Sequence, residues 1–180
     1  DLSMPSVRFE VRLLSREGKN SLSASGADEA SFVMSANAGE ALGPISRIAS
    51  GGELSRIMLA LKNVFAEKDG VDALIFDEID TGVSGVAAQR VAEKLASLGR
   101  TKQVLCVTHL PQIAAMAQQQ YLVEKAEHGG RTYTNIRLLD REGRRYELAR
   151  LSGGDMITDI QLAGAEELLA RDERFRASLS

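Results

Sequence analysis

Hydrophobic and polar residues follow two periods along the chain, and each period predicts one kind of element. Alternation over residues 7–13 predicts a half-buried strand, and residues 30–36 predict a second one. Apolar residues three or four positions apart predict a helix over about residues 51–68, with one face formed by Leu54, Ile57, Met58, Leu61 and Phe65. Similar spacing predicts helices over about residues 84–98 and 158–171.

Two short apolar runs predict buried parallel strands. Residues 74–76 form the first run, which ends in Asp77 and Glu78, and residues 103–108 form the second, which ends before His109. The predicted helix between the two runs is the kind of connection that parallel strands require. Because the carboxyl ends of parallel strands meet at one edge of a sheet, we expect the two acids and the histidine at the same rim.

The acidic end of the first run suggests phosphate chemistry. Asp77 is suited to holding Mg²⁺, because hard divalent cations take oxygen ligands. Glu78 is suited to orienting or deprotonating a water that attacks a phosphate. Without its neighbours, the same pattern is equally typical of a strand that runs into an acidic turn, so the rest of the chain has to decide between the two interpretations.

The start of the helix over 51–68 carries a second candidate site. Ser50 and Glu53 have the S-x-x-E spacing of a capping box, which needs no ligand. A serine and two glycines, Gly51 and Gly52, also expose backbone N–H groups at a helix N-terminus and permit close approach, which favours a phosphate. The two interpretations are compatible, since a cap and an anion site use different N–H groups.

The C-terminal third contains a predicted hairpin and a short helix. Alternating segments over residues 121–126 and 132–138 flank a pair of glycines, which predicts a hairpin with a glycine turn. A helix is predicted from Pro111 to about Gln118, since proline is common at the first helical position.

Five arginines follow in close succession, namely Arg137, Arg141, Arg144, Arg145 and Arg150. A solvated surface is the favoured interpretation, and contact with DNA or a partner is the alternative. Residues 151–155 repeat the serine-glycine-glycine-acid order, but they lie beyond the histidine and no strand follows them. We predict a loop and a cap there, with Thr158 and Gln161 as a further capping pair.

Composition narrows the class of protein. The 180 residues are 44% hydrophobic and 26% charged, which suits one compact domain over residues 1–180. The net charge of −3 gives no overall attraction to nucleic acid, so any DNA contact has to come from a local patch. The single cysteine, Cys106, lies in an apolar run and predicts a buried thiol rather than a disulfide or a zinc ligand. No apolar stretch approaches the roughly 18 residues of a membrane span.

One nucleotide-binding element is missing from the sequence. A P-loop has the pattern G-x-x-x-x-G-K-[ST], whose lysine and amides hold the β- and γ-phosphates. The Gly18-Lys19 pair is followed by Asn20, and Leu13 occupies the earlier glycine position. The chain is therefore expected to need another segment to complete a nucleotide site.

The order of the motifs resembles that of the C-terminal half of an ABC-type ATPase head. Residues 49–53 resemble the signature motif and residues 74–78 the Walker B motif. Residues 80–84 resemble the D-loop, and His109 resembles the switch histidine. Each motif is short, but the four stand in the order of the superfamily and at its spacing.

Within that superfamily, the residues of these motifs are most similar to those of the RecN family of SMC-like bacterial DNA repair proteins. The matching stretches are residues 48–62, 76–85 and 107–114, with looser likeness on both flanks. Two residues depart from the wider superfamily, and both look like RecN usage. Ala49 stands where leucine commonly opens the signature, and Ser84 stands where the D-loop usually carries aspartate.

The resemblance implies an α/β fold, the C-terminal half of an ABC/SMC-type ATPase head. A largely parallel sheet would be flanked by helices, with additional antiparallel strands. The partners implied are an N-terminal head half that carries the P-loop, a second head that dimerises with the first around ATP, and double-stranded DNA or DNA ends. ATP and Mg²⁺ are the implied ligands. The implied location is the cytoplasm, in association with the nucleoid, with no membrane partner.

The resemblance also implies a role for each motif residue. Asp77 would hold Mg²⁺, Glu78 would act on the attacking water, and His109 would contact the γ-phosphate. Asp80 and Ser84 would belong to the D-loop. The signature residues of one head would bind the nucleotide of the other head, and they are Ser50, Gly51, Gly52 and Glu53.

Two other interpretations stand beside this one. The chain has the motifs expected of a head from another SMC-like or RecF-like ATPase, with the same chemistry and a different task on DNA. It is also compatible with a non-catalytic interaction module on the same fold. Intact Asp77, Glu78 and His109 argue against the module, because a site that had lost its function is expected to have lost some of them.

Overall fold

A computed structural model describes residues 6–15, 22, 24, 26–35, 38–45, 51–66, 68 and 70–179. Within these residues seven strands are assigned: β1 (Arg8–Ser15), β2 (Asp28–Ser35), β3 (Gly43–Pro44), β4 (Ala73–Phe76), β5 (Gln103–Cys106), β6 (Tyr121–His128) and β7 (Arg131–Leu138). The same part of the chain has five helices: α1 (Gly51–Phe65), α2 (Gly85–Leu98), α3 (Pro111–Met116), α4 (Arg141–Gly153) and α5 (Asp159–Ser178). The expected strands, hairpin and helices are present with small shifts at their ends, except that α5 continues to Ser178, well beyond its predicted end near residue 171.

The strands form three separate sheets within the described residues. β1, β2 and β3 are antiparallel, and β6 and β7 form the predicted hairpin. β4 and β5 pair in parallel, from Ala73 opposite Gln103 to Phe76 opposite Cys106. Helix α2 connects these two strands, as parallel pairing requires.

The core lies beneath the parallel pair. Leu59 of α1, Phe76 of β4, and Val91 and Leu95 of α2 pack together in one cluster, with Ile113 of α3 beside them. A second cluster joins α3, α4 and α5 through apolar residues that include Ala115, Leu148 and Leu169. The first cluster fixes the position of the strand ends, because it holds β4 between α1 and α2.

The prediction that β4 and β5 are buried on both faces is wrong for this chain. Phe76 is buried, but Ile75 is 75% exposed, and Leu105 and Val107 on the neighbouring strand are exposed as well. Side chains alternate between the two faces of a strand, so one face of the pair packs on the helices and the other faces outward. The apolar side chains on that second face are exposed to solvent within the described residues.

Helix α4 is an element that hydrophobic periodicity did not predict. The side chain of Asp140 caps its N-terminus by accepting a hydrogen bond from the Gly143 N–H at 2.7 Å, and Gly154, with φ of 82°, follows its end. Its buried face includes Arg144 beside Leu148, and a charged residue at a buried position hides the apolar period. The loop predicted over residues 151–155 is wrong for residues 151–153, which form the last turn of this helix.

The arginine series is not one solvated face. Arg144 is buried, and its guanidinium donates to the backbone carbonyls of Ala114, Ala115 and Ala117 at the end of α3. Burial lowers the pKa of Arg144 from its ordinary value. The other four arginines are paired with carboxylates, as in the Arg141 contacts with Glu166 and Glu173 at 2.7 Å. These pairs reduce the positive charge that the series offers to an anionic partner.

Helix α5 confirms the capping pair predicted from the sequence. Thr158 accepts a hydrogen bond from the backbone N–H of Gln161, and the Gln161 side chain accepts one from the backbone N–H of Thr158. No helix among the described residues has the length and apolar content to cross a membrane.

Candidate functional site

The carboxyl ends of β4 and β5 lie side by side, as the sequence predicts. The Val107 N–H donates to the carbonyl of Phe76 at 3.0 Å, so the parallel pairing continues past the strand ends. Asp77 and Glu78 leave β4 at this edge, and His109 follows β5 at the same edge. The fold therefore brings both acids and the histidine to one rim.

Asp80 lies at the centre of this rim and is buried, with 4% of its surface exposed. Its Oδ2 accepts hydrogen bonds from the Thr108 hydroxyl at 2.6 Å and the His109 backbone N–H at 2.9 Å. Nδ1 of the His109 ring lies 3.0 Å from the same oxygen, while the ring itself is 74% exposed. The predicted D-loop acid is thus joined to the predicted switch histidine within one chain.

Glu78 has a backbone conformation that is rare for a residue with a side chain. Its φ is 55°, the one positive value at a described residue other than glycine. A tight turn holds it there: its N–H donates to Asp77 Oδ1 at 2.9 Å, and its carbonyl accepts from the Thr81 N–H at 3.1 Å. Such conformations cost about 1–3 kcal/mol and cluster at functional sites, because the surrounding structure has to maintain them.

The N-terminus of α1 packs directly against this turn. A Cβ added at Gly51 would lie 2.7 Å from Oε2 of Glu78. One added at Gly52 would lie 2.9 Å from the carbonyl oxygens of both Glu78 and Thr81. Packing within this chain is therefore sufficient to explain why position 52 is a glycine. The carboxylate of Glu78 also lies at the positive end of the helix dipole, which is a favourable position for an anion.

Two further side chains of α1 hold the same turn. The Ser55 hydroxyl donates to the Asp77 carbonyl at 3.0 Å. Arg56 donates to the carbonyl of Thr81 at 2.7 Å and to that of Ile79 at 3.4 Å. Arg56 is only 5% exposed, its Nε has no hydrogen-bond partner among the described residues, and burial lowers its pKa. Such a side chain fixes the distance between α1 and the acidic turn.

The remaining predicted site residues lie around this centre. Asp77 is exposed, and its Oδ2 makes no hydrogen bond within the described residues. Ser84 is exposed at the N-cap of α2 and makes no side-chain capping bond. Glu53 lies in the first turn of α1. Ser50 lies outside the described residues, so its predicted capping and phosphate contacts stay predictions.

The chemistry of these donors suits a magnesium ion shared with a substrate. Mg²⁺ is commonly held by one or two carboxylates, with water and substrate phosphates as the other ligands. Asp77 offers one exposed carboxylate with an oxygen left for a cation. Within the described ranges no three His, Cys, Asp or Glu side chains are grouped as a metal site. Asp77 therefore fits as one ligand of such an ion, with phosphates supplying others.

Cys106 takes no part in this chemistry. Burial raises the pKa of its thiol to about 12, with the negative charges of Asp80 and Asp77 as smaller causes. A thiol in this state is a poor nucleophile and a poor metal ligand, because both roles need the thiolate. The predicted burial of Cys106 is confirmed only in part, because the residue is partly buried beside the core cluster.

Sequence reasoning missed Arg56 and the bond between Asp80 and His109. Arg56 lies on the face of α1 opposite to Leu54 and Leu61, so the apolar period predicted an exposed side chain there and gave no signal of its burial. No spacing rule joins Asp80 to His109, because they are 29 positions apart and meet only when β4 and β5 pair in parallel.

The close packing at the two glycines gives a matched pair of substitutions. Gly52→Ala is expected to destabilise the protein by about 1–3 kcal/mol, because its methyl group meets two rigid carbonyl oxygens. Gly51→Ala is the control, since the methyl group meets the movable end of the Glu78 side chain. Urea unfolding of both variants measures the difference. Equal stability of the two variants would contradict the packing described at α1.

Comparisons with known proteins support the resemblance drawn from the motifs. No protein-family model matches the chain. It is 46% identical over 169 residues to DNA repair protein RecN of Halalkalibacterium halodurans, covering 93% of this chain and 30% of that relative. It is 45% identical over 169 residues to RecN of Vibrio cholerae, covering 94% and 30%. The match to RecN of Bacillus subtilis is 40% over 180 residues and covers 96% and 31%.

The chain spans about 30% of the length of these relatives. Among solved structures, it is similar to the Smc head domain with a coiled coil and joint from Pyrococcus yayanosii. The TM-score is 0.55 at 21% identity, and the match covers 84% of this chain and 27% of that one. The predicted relationship to RecN and the predicted α/β head fold are both confirmed.

Proposed function

We propose that this RecN-related chain is the C-terminal half of the ATP-hydrolysing head of an SMC-like DNA repair protein. The N-terminal half, outside this chain, would supply the P-loop. Two such heads would dimerise around ATP and Mg²⁺ and act on double-stranded DNA or its ends. A task on DNA would place the protein in the cytoplasm with the nucleoid.

One observation carries this proposal, namely the meeting of three separate motifs at one rim. Glu78 lies so close to the start of α1 that a Cβ added at Gly51 would be 2.7 Å from its Oε2, and Asp80 Oδ2 lies 3.0 Å from Nδ1 of the His109 ring. An acid pair, a histidine and an exposed helix N-terminus are the groups that phosphoryl transfer uses for positioning and charge stabilisation. A decayed interaction module has no need for this arrangement.

Each side chain has a chemical task in this proposal. Glu78 would accept a proton from the attacking water or orient that water, since its carboxylate is exposed at the rim. The exposed His109 ring would contact the γ-phosphate. Asp77 would hold Mg²⁺, which supplies charge neutralisation at the phosphates when bound. The N–H groups at Gly51 and Gly52, with Ser50 and Glu53, would face the nucleotide of the opposite head.

The exposed face of β4 and β5 supports the proposal that a further head half packs against this chain. A parallel sheet is normally covered on both faces, because its connections place helices there. Ile75, Leu105 and Val107 are instead exposed on the outward face of the pair. The relatives are about three times as long as this chain, so they contain enough further residues to cover it. We assign this face to the N-terminal head half.

The proposed roles predict the effect of Asp77→Asn in the full-length protein. Loss of the carboxylate charge is expected to lower Mg²⁺-dependent ATP hydrolysis at least about tenfold and to raise the Mg²⁺ concentration needed for half-maximal rate, because one cation ligand is weakened. Phosphate release against Mg²⁺ concentration measures both. Asp72→Asn is the matched control, an exposed aspartate at the opposite end of β4. An unchanged Mg²⁺ dependence in Asp77→Asn would refute the role of Asp77.

A further inference from the structure

Asp80 differs from the other acids of the rim in its burial. Asp77 and Glu78 are exposed, whereas Asp80 is 4% exposed and lies directly beneath His109. A buried carboxylate is costly unless its oxygens are hydrogen-bonded. Oδ2 accepts two hydrogen bonds, from the Thr108 hydroxyl and the His109 backbone N–H, and Nδ1 of the His109 ring lies 3.0 Å from it. The carboxylate is therefore a fixed acceptor that holds the residues just after β5 by hydrogen bonds.

This arrangement decides which nitrogen of the His109 ring faces outward. A carboxylate only accepts hydrogen bonds, so Nδ1, at 3.0 Å from Oδ2, carries a proton. Nε2 then points away from Asp80 toward the open rim. It is an acceptor when the ring is neutral and a second donor when the ring is protonated. In both protonation states, Asp80 fixes the orientation of the ring.

The turn that carries Asp80 is itself held from α1. Arg56 donates to the carbonyls on either side of Asp80, those of Ile79 and Thr81. The Val83 N–H donates to the carbonyl of Asp80 at 3.2 Å. The carboxylate therefore has little freedom to move relative to the strand ends, which is what a group that orients another side chain requires.

We propose that Asp80 is a positioning residue for His109, holding the ring by Nδ1 so that Nε2 faces the phosphate that is to be hydrolysed. This inference rests on the proposed ATPase function, and it deepens that function by assigning Asp80 a task within its own head. The resemblance predicts a D-loop role for Asp80. The proposal adds a second role, which is direct orientation of the histidine in the same chain.

The first test observes the ring itself, independently of hydrolysis. Full-length protein is labelled with ¹⁵N-histidine, and the ring nitrogens are recorded by NMR at a pH where the ring is neutral. The signals that vanish in His109→Gln belong to His109. The proton is expected on Nδ1 in the unchanged protein and is expected to shift to Nε2 in Asp80→Ala, because alanine leaves Nδ1 without its acceptor. An unchanged proton position in Asp80→Ala would overturn the proposal.

The second test separates positioning from a structural role. Asp80→Ala is expected to lower kcat for ATP about tenfold to a hundredfold, the range typical of a group that orients another through one hydrogen bond, while KM changes little. In the His109→Gln background, Asp80→Ala is expected to lower kcat no further, because the ring that Asp80 orients is absent. Equal losses in both backgrounds would show a structural role and overturn the proposal.

Two more variants keep the test decisive. Thr108→Val removes a competing donor from Oδ2 and leaves Asp80 and His109 in place, so Nδ1 is expected to keep its proton. A ring that loses the Nδ1 proton in Thr108→Val would also count against Asp80 as its anchor. Asp72→Asn is the surface control and is expected to change neither readout. If the full-length protein hydrolyses no ATP, the proposed function fails, and the NMR result alone decides whether Asp80 orients His109.

Discussion

Glu78→Gln is expected to slow ATP hydrolysis by the full-length protein by about 10²–10⁴-fold, the contribution typical of a general base. Glutamine keeps the shape of the side chain and removes the carboxylate that would act on the attacking water. The substitution leaves Asp77 and His109 in place, so ATP and Mg²⁺ are expected to bind with little change. Single-turnover phosphate release at saturating ATP measures the loss directly.

The same variant is expected to prolong the ATP-bound dimer. ATP held between two heads favours the associated state by its differential binding, and hydrolysis removes that contribution. A head that binds ATP without cleaving it therefore stays associated for longer, which analytical ultracentrifugation with ATP and Mg²⁺ measures. Glu127→Gln, at the hairpin far along the chain, is the matched control. Normal turnover in Glu78→Gln would be evidence against Glu78 as the group that acts on water.

The isolated 180-residue chain is expected to hydrolyse ATP at a negligible rate. Its strand ends carry the acids and the histidine, but the loop whose lysine and amides grip the β- and γ-phosphates is missing from its sequence. Without that grip the substrate is not positioned, and positioning supplies much of the catalysis in phosphoryl transfer.

Addition of the proposed N-terminal head half is expected to produce activity, because that half would supply the P-loop and would cover the exposed face of β4 and β5. Phosphate release by the chain alone, by the N-terminal half alone and by their equimolar mixture measures this. The Glu78→Gln chain mixed with the same half is the negative control. Robust Mg²⁺-dependent turnover by the pure chain alone would contradict the division of the site between two halves.

The sequence was sufficient for the elements that follow local rules. The runs before Asp77 and His109 are apolar and short, and the helix between them is strongly periodic, so parallel pairing of β4 with β5 followed from handedness and connection length. The cap at Thr158 needs only a side chain and a backbone group three residues apart. The shared rim of the candidate site followed from the parallel pairing of β4 with β5, which brings their carboxyl ends to one edge.

Three features depend on residues far apart in sequence, and local patterns did not reveal them. Arg144 occupies a buried position in α4 because the carbonyls of Ala114 and its neighbours need donors, which is a requirement set by another helix. Asp80 is buried only because β5 brings Thr108 and His109 over it. The outward face of β4 is exposed at Ile75, which its apolar run alone did not reveal.

Gly52 shows how one residue type can serve two needs. The sequence suggested close approach of a ligand, and the structure shows close approach of the Glu78–Thr81 turn. Both needs exclude a Cβ, so the glycine alone does not distinguish them. The ligand interpretation stays a prediction, and the measured cost of Gly52→Ala in the absence of ATP isolates the packing contribution.

A structure of the full-length protein with a non-hydrolysable ATP analogue and Mg²⁺ tests the account most directly. The account predicts that Glu78 and Nε2 of His109 face the γ-phosphate of one nucleotide, with Asp77 on its Mg²⁺. The start of α1 at Gly51 is predicted to face the nucleotide bound by the other head. A γ-phosphate that lies away from the rim formed by Asp77, Glu78 and His109 would contradict it.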